Sequence, residues 1–341
     1  MPRSPRRPRS LAARATVAVA ALTLVTAAGC TTDAGGDGDD AGPATTGSDA
    51  SAGSAAPAAP VDPVGTVTHG TLASGGRDRT YRLYVPASLP PGPVPLLVGL
   101  HGGTGWGDQF AATTGVEGWA ESNGFIVVHP DGVPVGARRG GVWNGGVCCG
   151  PAAREGVDDV AFVAALLDRL GQAHDIDAAR TFAFGHSNGG IMSYRLACEL
   201  GDLIAGIGVV AGTVGVESCE PARPVSVIHI HGTADENLPI AGGAGARSVA
   251  GVDFPSPVDG FARVAAAEGC PVPEKATDGD VTTATRAPCD GGAAATFVTI
   301  AGAQHPWPGG TPRAAPDAGQ PYAGYDATAA IVAFLLAHPR T

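Results

Sequence analysis

The sequence predicts one α/β domain on a mostly parallel, doubly wound sheet. Short apolar runs of strand type alternate with amphipathic stretches of helical period. From Val61 onward about 280 residues remain, enough for one large domain with a substantial core. Gly185-His186-Ser187-Asn188-Gly189 stands between a strand-like and a helix-like run. A sharp turn in that context pushes the serine Oγ clear of the backbone.

Residues 1–30 read as a targeting segment. Arg3, Arg6, Arg7, Arg9 and Arg14 precede an apolar stretch from Ala15 to Ala28, followed by Gly29-Cys30, the order of a secretory signal. The stretch is too short for a permanent transmembrane helix. Ala27-Ala28-Gly29-Cys30 resembles a bacterial lipobox with alanine in place of its usual leucine. Lipidation of Cys30 is expected, with simple cleavage near Ala28 as the competing expectation. Residues 31–62 are Ala, Gly, Ser, Thr, Asp and Pro with almost nothing to bury, a disordered tether. The folded domain is expected over residues 63–341.

Beyond Cys30, 16 Lys/Arg face 32 Asp/Glu, a formal charge of −16. That disfavours nucleic acid and anionic membrane surfaces, leaving a lipid anchor as the expected membrane contact of a monomer. No P-loop, dinucleotide fingerprint or zinc-type Cys/His spacing is present, so no cofactor or metal is expected.

Arg79–Val85 alternates and reads as a half-exposed strand in an antiparallel hairpin. Pro95–Leu100 is a buried strand running into His101-Gly102-Gly103-Thr104-Gly105, and Phe125–Val128 is another. Val157–Leu170 is an amphipathic helix with Asp158 and Asp159 suiting its dipole. Strands are expected at Thr181–Phe184, Ile204–Val210, Val225–Ile230 and Ala295–Ile300, and late helices at Pro257–Glu268 and Ala327–Ala337. About a dozen residues separate the strand ending near Ala211 from the next. They leave no room for a helical lid, so the cleft is expected to be open there.

Four features of this pattern belong to one chemistry. A serine hydroxyl is a poor nucleophile, so Ser187 needs a base, and the base needs an acid to hold its tautomer. Asp235 follows the strand 225–230 within His231-Gly232-Thr233-Ala234-Asp235, and His305 follows the strand 295–300. Sheet edges at strand C-termini are where active sites collect. The turn at 101–105 offers a backbone N–H for a developing oxyanion, at Gly103 or Thr104, and Asn188 offers the second. Trp307 could stack substrate or pack its loop, with Trp106 and Trp143 as weaker substrate contacts and His186 lining the cleft. His229 reads as a core residue and His231 as a support of the Asp235 loop.

Six cysteines follow Cys30 and allow fifteen connectivities. Proximity suggests Cys198–Cys219 and Cys270–Cys289, each worth about 3 kcal/mol in the chain-entropy model. Cys148 and Cys149 either bridge each other or stay as thiols.

The chain resembles the secreted esterase family that groups feruloyl esterases with polyhydroxybutyrate depolymerases, including actinobacterial lipoproteins. Leu100-His-Gly-Gly103, His129-Pro-Asp-Gly132, Trp143-Asn144, Val157-Asp-Asp-Val160, Gly185–Gly190, His231–Asp235 and His305-Pro-Trp-Pro-Gly309 carry the resemblance, over roughly Gly70 to His338. It implies an α/β-hydrolase fold, which the short segment after Ala211 leaves without a large lid domain. It also implies cofactor-free hydrolysis of phenolic-acid, polyhydroxyalkanoate or short acyl esters, outside the cell. Tyrosine and threonine usually stand where this chain has His129 and Pro306. The rival expectations are a non-catalytic binding lipoprotein on the same fold and a peptidase of prolyl-oligopeptidase type.

Overall fold

The computed structural model describes residues 56–136, 140–312 and 319–341. The expected signal, Cys30 and most of the expected tether lie outside them. The end of that tether does not hang free. Ala58 exchanges hydrogen bonds with the Asn123 side chain at 2.7 and 2.9 Å, and the Val61 N–H donates to the Gly118 carbonyl. The docked chain thus begins before residue 63.

In chain order the elements are strands β1 (Thr66–Ser74), β2 (Arg77–Val85) and β3 (Val94–Leu100), helices α1 (Gly107–Thr114) and α2 (Val116–Asn123), and strand β4 (Ile126–Pro130). The short pair β5 (Val133–Pro134) and β6 (Gly141–Val142), helices α3 (Gly150–Arg154) and α4 (Asp159–Ala173), strand β7 (Ile176–His186), helix α5 (Asn188–Glu199) and strand β8 (Gly206–Val210) follow. The last are β9 (Ser226–Gly232), α6 (Pro257–Ala267), β10 (Glu274–Asp278), β11 (Val281–Arg286), β12 (Ala295–Ile300) and α7 (Ala327–Ala337).

Ten strands form one sheet in the order β1-β2-β4-β3-β7-β8-β9-β12-β11-β10. The six strands from β4 to β12 are parallel to their neighbours, with antiparallel strands at both edges. The parallel strands are apolar on both faces because helices cover both. Leu96, Val98 and Leu100 pack with α4, α5 and α6, while Leu97 packs with α1, α2 and α7. The fold is therefore an α/β-hydrolase fold without a large lid.

Two features go beyond what the apolar pattern indicates. Asp159 lies in the first turn of α4, where it suits the helix dipole, and has a further role. It is fully buried, takes the Arg79 guanidinium at 2.7 Å and accepts the Asn144 N–H at 2.7 Å, so it ties β2 to α4 across the core. Asp158 instead caps α4 by accepting the Ala161 N–H. No apolar alternation marks the threonine-rich β10–β11 hairpin, in which β10 is exposed and β11 half-buried, with Val281 packed against the core.

Disulfides Cys198–Cys219 and Cys270–Cys289 close the two loops expected, and Cys148 bonds to Cys149.

Candidate active site

Four connections leave the same edge of the sheet, the carboxyl ends of β3, β7, β9 and β12. Ser187 follows β7, near the middle of the sheet. Its φ of 54° is in the left-handed region, and it is held by its N–H to the Val210 carbonyl and by its carbonyl to the Ile191 N–H. The glycines around it are steric requirements. A Cβ at Gly185 would collide with the Gly189 carbonyl, and one at Gly189 with the Leu100 carbonyl.

The Ser187 hydroxyl lies 2.9 Å from His305 Nε2, and His305 Nδ1 lies 2.8 Å from Asp235 Oδ2. Asp235 Oδ1 accepts the N–H groups of Asn237 and Leu238 at 2.8 and 2.9 Å. Burial alone would raise the Asp235 carboxyl. The His305 hydrogen bond and charge, the Leu238 N–H and His231 outweigh it, and the group sits below its ordinary pKa. An ionised Asp235 accepts Nδ1–H, which leaves Nε2 bare and facing the Ser187 hydroxyl.

The 101–105 turn stands beside this line. His101 Nε2 accepts the Gly132 N–H at 2.9 Å, and its Nδ1–H donates to the Gly102 carbonyl at 2.8 Å. Among the described residues the N–H groups of Gly103 and Asn188 meet no acceptor, and both residues line the cavity over Ser187. Thr104 departs from expectation. Its N–H is committed to the Gly141 carbonyl at 2.8 Å, which leaves Gly103 and Asn188 as the candidates to face an anion.

Trp143 and Trp307 are buried and brace the site. Trp143 is fully buried and donates its indole N–H to the His101 carbonyl at 2.9 Å. Its backbone N–H and C=O both bond the Asn188 amide, at 2.7 and 3.0 Å. Trp143 thereby couples the two N–H-bearing segments from behind. Trp307 touches the cavity but is only 2% exposed. It packs on Phe110 and Phe184 and donates to Thr328 Oγ1 at 3.0 Å, which anchors the His305 loop. Trp106 lies outside the cavity lining and precedes α1, its carbonyl accepting the Phe110 N–H. His186 lines the cavity, and its Nε2–H donates to the His305 carbonyl at 2.8 Å. His129 is a core residue against Phe110 and Phe184, and burial pulls its pKa down to about 3.

The cavity is about 750 Å³. No helical lid stands between β8 and β9. The loop between β9 and α6 instead supplies Leu238, Val252 and Phe254 to one wall, beside Ile191 and the Cys148–Cys149 pair. Gln109, Thr113 and Thr311 contribute polar groups from the layer of α1. Sequence reasoning missed these wall residues because no local pattern marks them. Among the described residues no three His, Cys, Asp or Glu side chains cluster so as to hold a metal ion, and no helix is long and apolar enough to cross a membrane.

A family model described as esterase PHB depolymerase matches residues 79–259. NocK of Nocardia uniformis subsp. tsuyamanensis, named as an esterase, is 31% identical over 272 residues, 72% of this chain and 75% of its own. Feruloyl esterase B of Piromyces equi is 30% identical over 62% of this chain and 39% of its own length. Feruloyl esterase C of Emericella nidulans is 32% identical over 52% of this chain and 62% of its own. This chain thus spans less than two thirds of either feruloyl esterase. An acetyl xylan esterase structure from Aspergillus awamori superposes with a TM-score of 0.53 at 15% identity, over 71% of this chain and 94% of that one.

Proposed function

Because the chain belongs to the esterase PHB depolymerase family and is a carboxylic-ester hydrolase, we propose that it cleaves its ester through an acyl-enzyme on Ser187. The observation that carries this reading is the Ser187–His305–Asp235 line, 2.9 and 2.8 Å long, opening onto the cavity. Ser187 Oγ attacks the ester carbonyl while His305 Nε2 takes its proton. The new oxyanion is received by the Gly103 and Asn188 N–H groups, and Asp235 stabilises the imidazolium. His305 returns the proton to the departing alcohol. Water then repeats the sequence from the opposite side to free the acid and restore Ser187.

The substrate we favour has an aromatic or short acyl group on a larger polar alcohol, of the feruloyl or acetylated polysaccharide kind. The apolar wall of Ile191, Leu238 and Phe254 supports the acyl part, and Gln109, Thr113 and Thr311 support the alcohol. The relatives' names, feruloyl esterase among them, favour the same class. Export with a lipid on Cys30 and a tether ahead of the catalytic domain completes the proposal, placing the site where polymeric esters are met.

Ser187→Ala tests the core of it. Its kcat on p-nitrophenyl acetate and methyl ferulate is expected to fall on the order of 10⁶-fold with the fold intact. Parental enzyme quenched with substrate should carry the acyl mass on the peptide containing Ser187. Undiminished turnover by Ser187→Ala would end the acyl-enzyme reading.

A further inference from the structure

Behind the Asp235 turn lies a line of three buried side chains that ester cleavage does not itself call for. Tyr194 on α5 sets its hydroxyl 2.7 Å from His229 Nδ1. His229 Nε2 is 3.0 Å from His231 Nδ1, and His231 Nε2 is 2.9 Å from the Leu238 carbonyl. Tyr194, His229 and His231 are 0%, 0% and 1% exposed.

The direction of donation follows from the last member. A carbonyl only accepts, so His231 Nε2 carries a hydrogen. Burial holds both imidazoles below their ordinary pKa, His231 despite the pull of Asp235 and Leu238, so each ring carries a single proton. His231 Nδ1 is then bare and accepts His229 Nε2–H, and the bare His229 Nδ1 accepts the Tyr194 hydroxyl. Every bond in the line runs one way, from tyrosine to carbonyl.

The line ends on the residue that grips the acid. Leu238 accepts the His231 Nε2–H hydrogen bond through its carbonyl and donates its own N–H to Asp235 Oδ1 at 2.9 Å. His231 Nε2 is also 3.6 Å from Asp235 Oδ2, beyond hydrogen-bond reach. Besides the direct effect of its charge distribution on Asp235, its hydrogen-bonded hold on the carboxylate therefore passes through the Leu238 backbone. We propose that Tyr194, His229 and His231 are positioning residues that fix the aim of Asp235 at His305 through the backbone of Leu238, whose carbonyl and N–H lie in adjacent peptide groups. This rests on the reading of Ser187, His305 and Asp235 as the reacting triad. A turn free to rotate by a fraction of an ångström would misplace the Asp235–His305 bond, and small displacements at a proton-transfer site are costly.

The experiment measures kcat and KM on p-nitrophenyl acetate for Tyr194→Phe, His231→Gln, His231→Leu and Asp235→Asn, and for the first and third combined with Asp235→Asn. Functional sites are counted by fluorophosphonate titration, so that misfolded protein is removed from kcat. Tyr194→Phe deletes one oxygen and should lower kcat several-fold, and His231→Leu about tenfold or more, both at unchanged KM. His231→Gln keeps a donor for the Leu238 carbonyl and should recover most of the loss. Both effects should vanish in the Asp235→Asn background, because a device that aims Asp235 has nothing left to aim. Losses that multiply undiminished onto Asp235→Asn, or that disappear once functional sites are counted, would overturn the positioning role and leave the triad standing. Parental kcat in Asp235→Asn alone would overturn the triad reading itself, and the positioning role with it.

Discussion

The floor of the cleft and its walls hold their residues by different means. On the floor, Ser187, His305 and both oxygens of Asp235 are fixed by hydrogen bonds of 2.8 or 2.9 Å, and Trp143 and Trp307 brace the segments from below. The wall of Ile191, Leu238, Phe254 and the Cys148–Cys149 pair is a small apolar cluster apart from the two main cores. Directional bonds fix atoms to tenths of an ångström, as proton transfer needs. Apolar contact fixes only shape and volume, which suffices to rank substrates. Changes to the floor should therefore remove turnover of every ester alike, and changes to the walls should redistribute turnover among esters.

Asp235→Asn is the sharpest test of that division short of removing the nucleophile. It should cost about 10⁴-fold in kcat on all esters, through the wrong His305 tautomer. The depressed carboxyl pKa adds a second readout. Such a group contributes stability above its unfolded value of 3.8 and loses it as pH falls through the folded one. The gap in Tm between parent and variant, open at neutral pH, should close below about pH 4. A substrate-dependent loss of kcat would blur floor into wall.

Next in size is Phe254→Ala on the apolar wall. It should lower kcat/KM for methyl ferulate about tenfold and for p-nitrophenyl acetate much less. Equal losses on the two esters would assign Phe254 to structure alone. Gln109→Ala should have the smallest effect, about threefold in kcat/KM on a feruloylated oligosaccharide, the value of one solvent-competed hydrogen bond. It should leave methyl ferulate unchanged. A loss on methyl ferulate would move Gln109 from the alcohol side to the acyl side.

The same division explains what the sequence disclosed. Ser187 announces itself locally, since the turn needs glycine at Gly185 and Gly189 whatever surrounds them. Asp235 and His305 are legible because each follows a buried run, β9 and β12, whose end must reach the active edge. The central strands and helices α4, α6 and α7 are readable for the same reason, apolar period, whereas α1, α2, α3 and the β5–β6 and β10–β11 pairs carry no such signal. The walls were not. Gln109, Ile191 and Phe254 come from a helix start, a helix interior and a long loop, and only the closed fold brings them together. The tryptophans show the limit most plainly, because an aromatic ring next to a catalytic motif looks alike in sequence whether it faces the cleft or, like Trp143, stands fully buried behind it. Thr104 misled for a related reason, as its N–H is claimed by Gly141, 37 positions away.

The backbone angle at Ser187 opposes two selective demands at one residue. A φ of 54° is a conformation glycine adopts freely and serine resists, and such strain is held at a cost of order 1–3 kcal/mol. Glycine at this position would relax the turn and yield a more durable fold with no nucleophile. Durability and reactivity therefore pull apart here, and drift toward greater robustness would erase the enzyme at this position first.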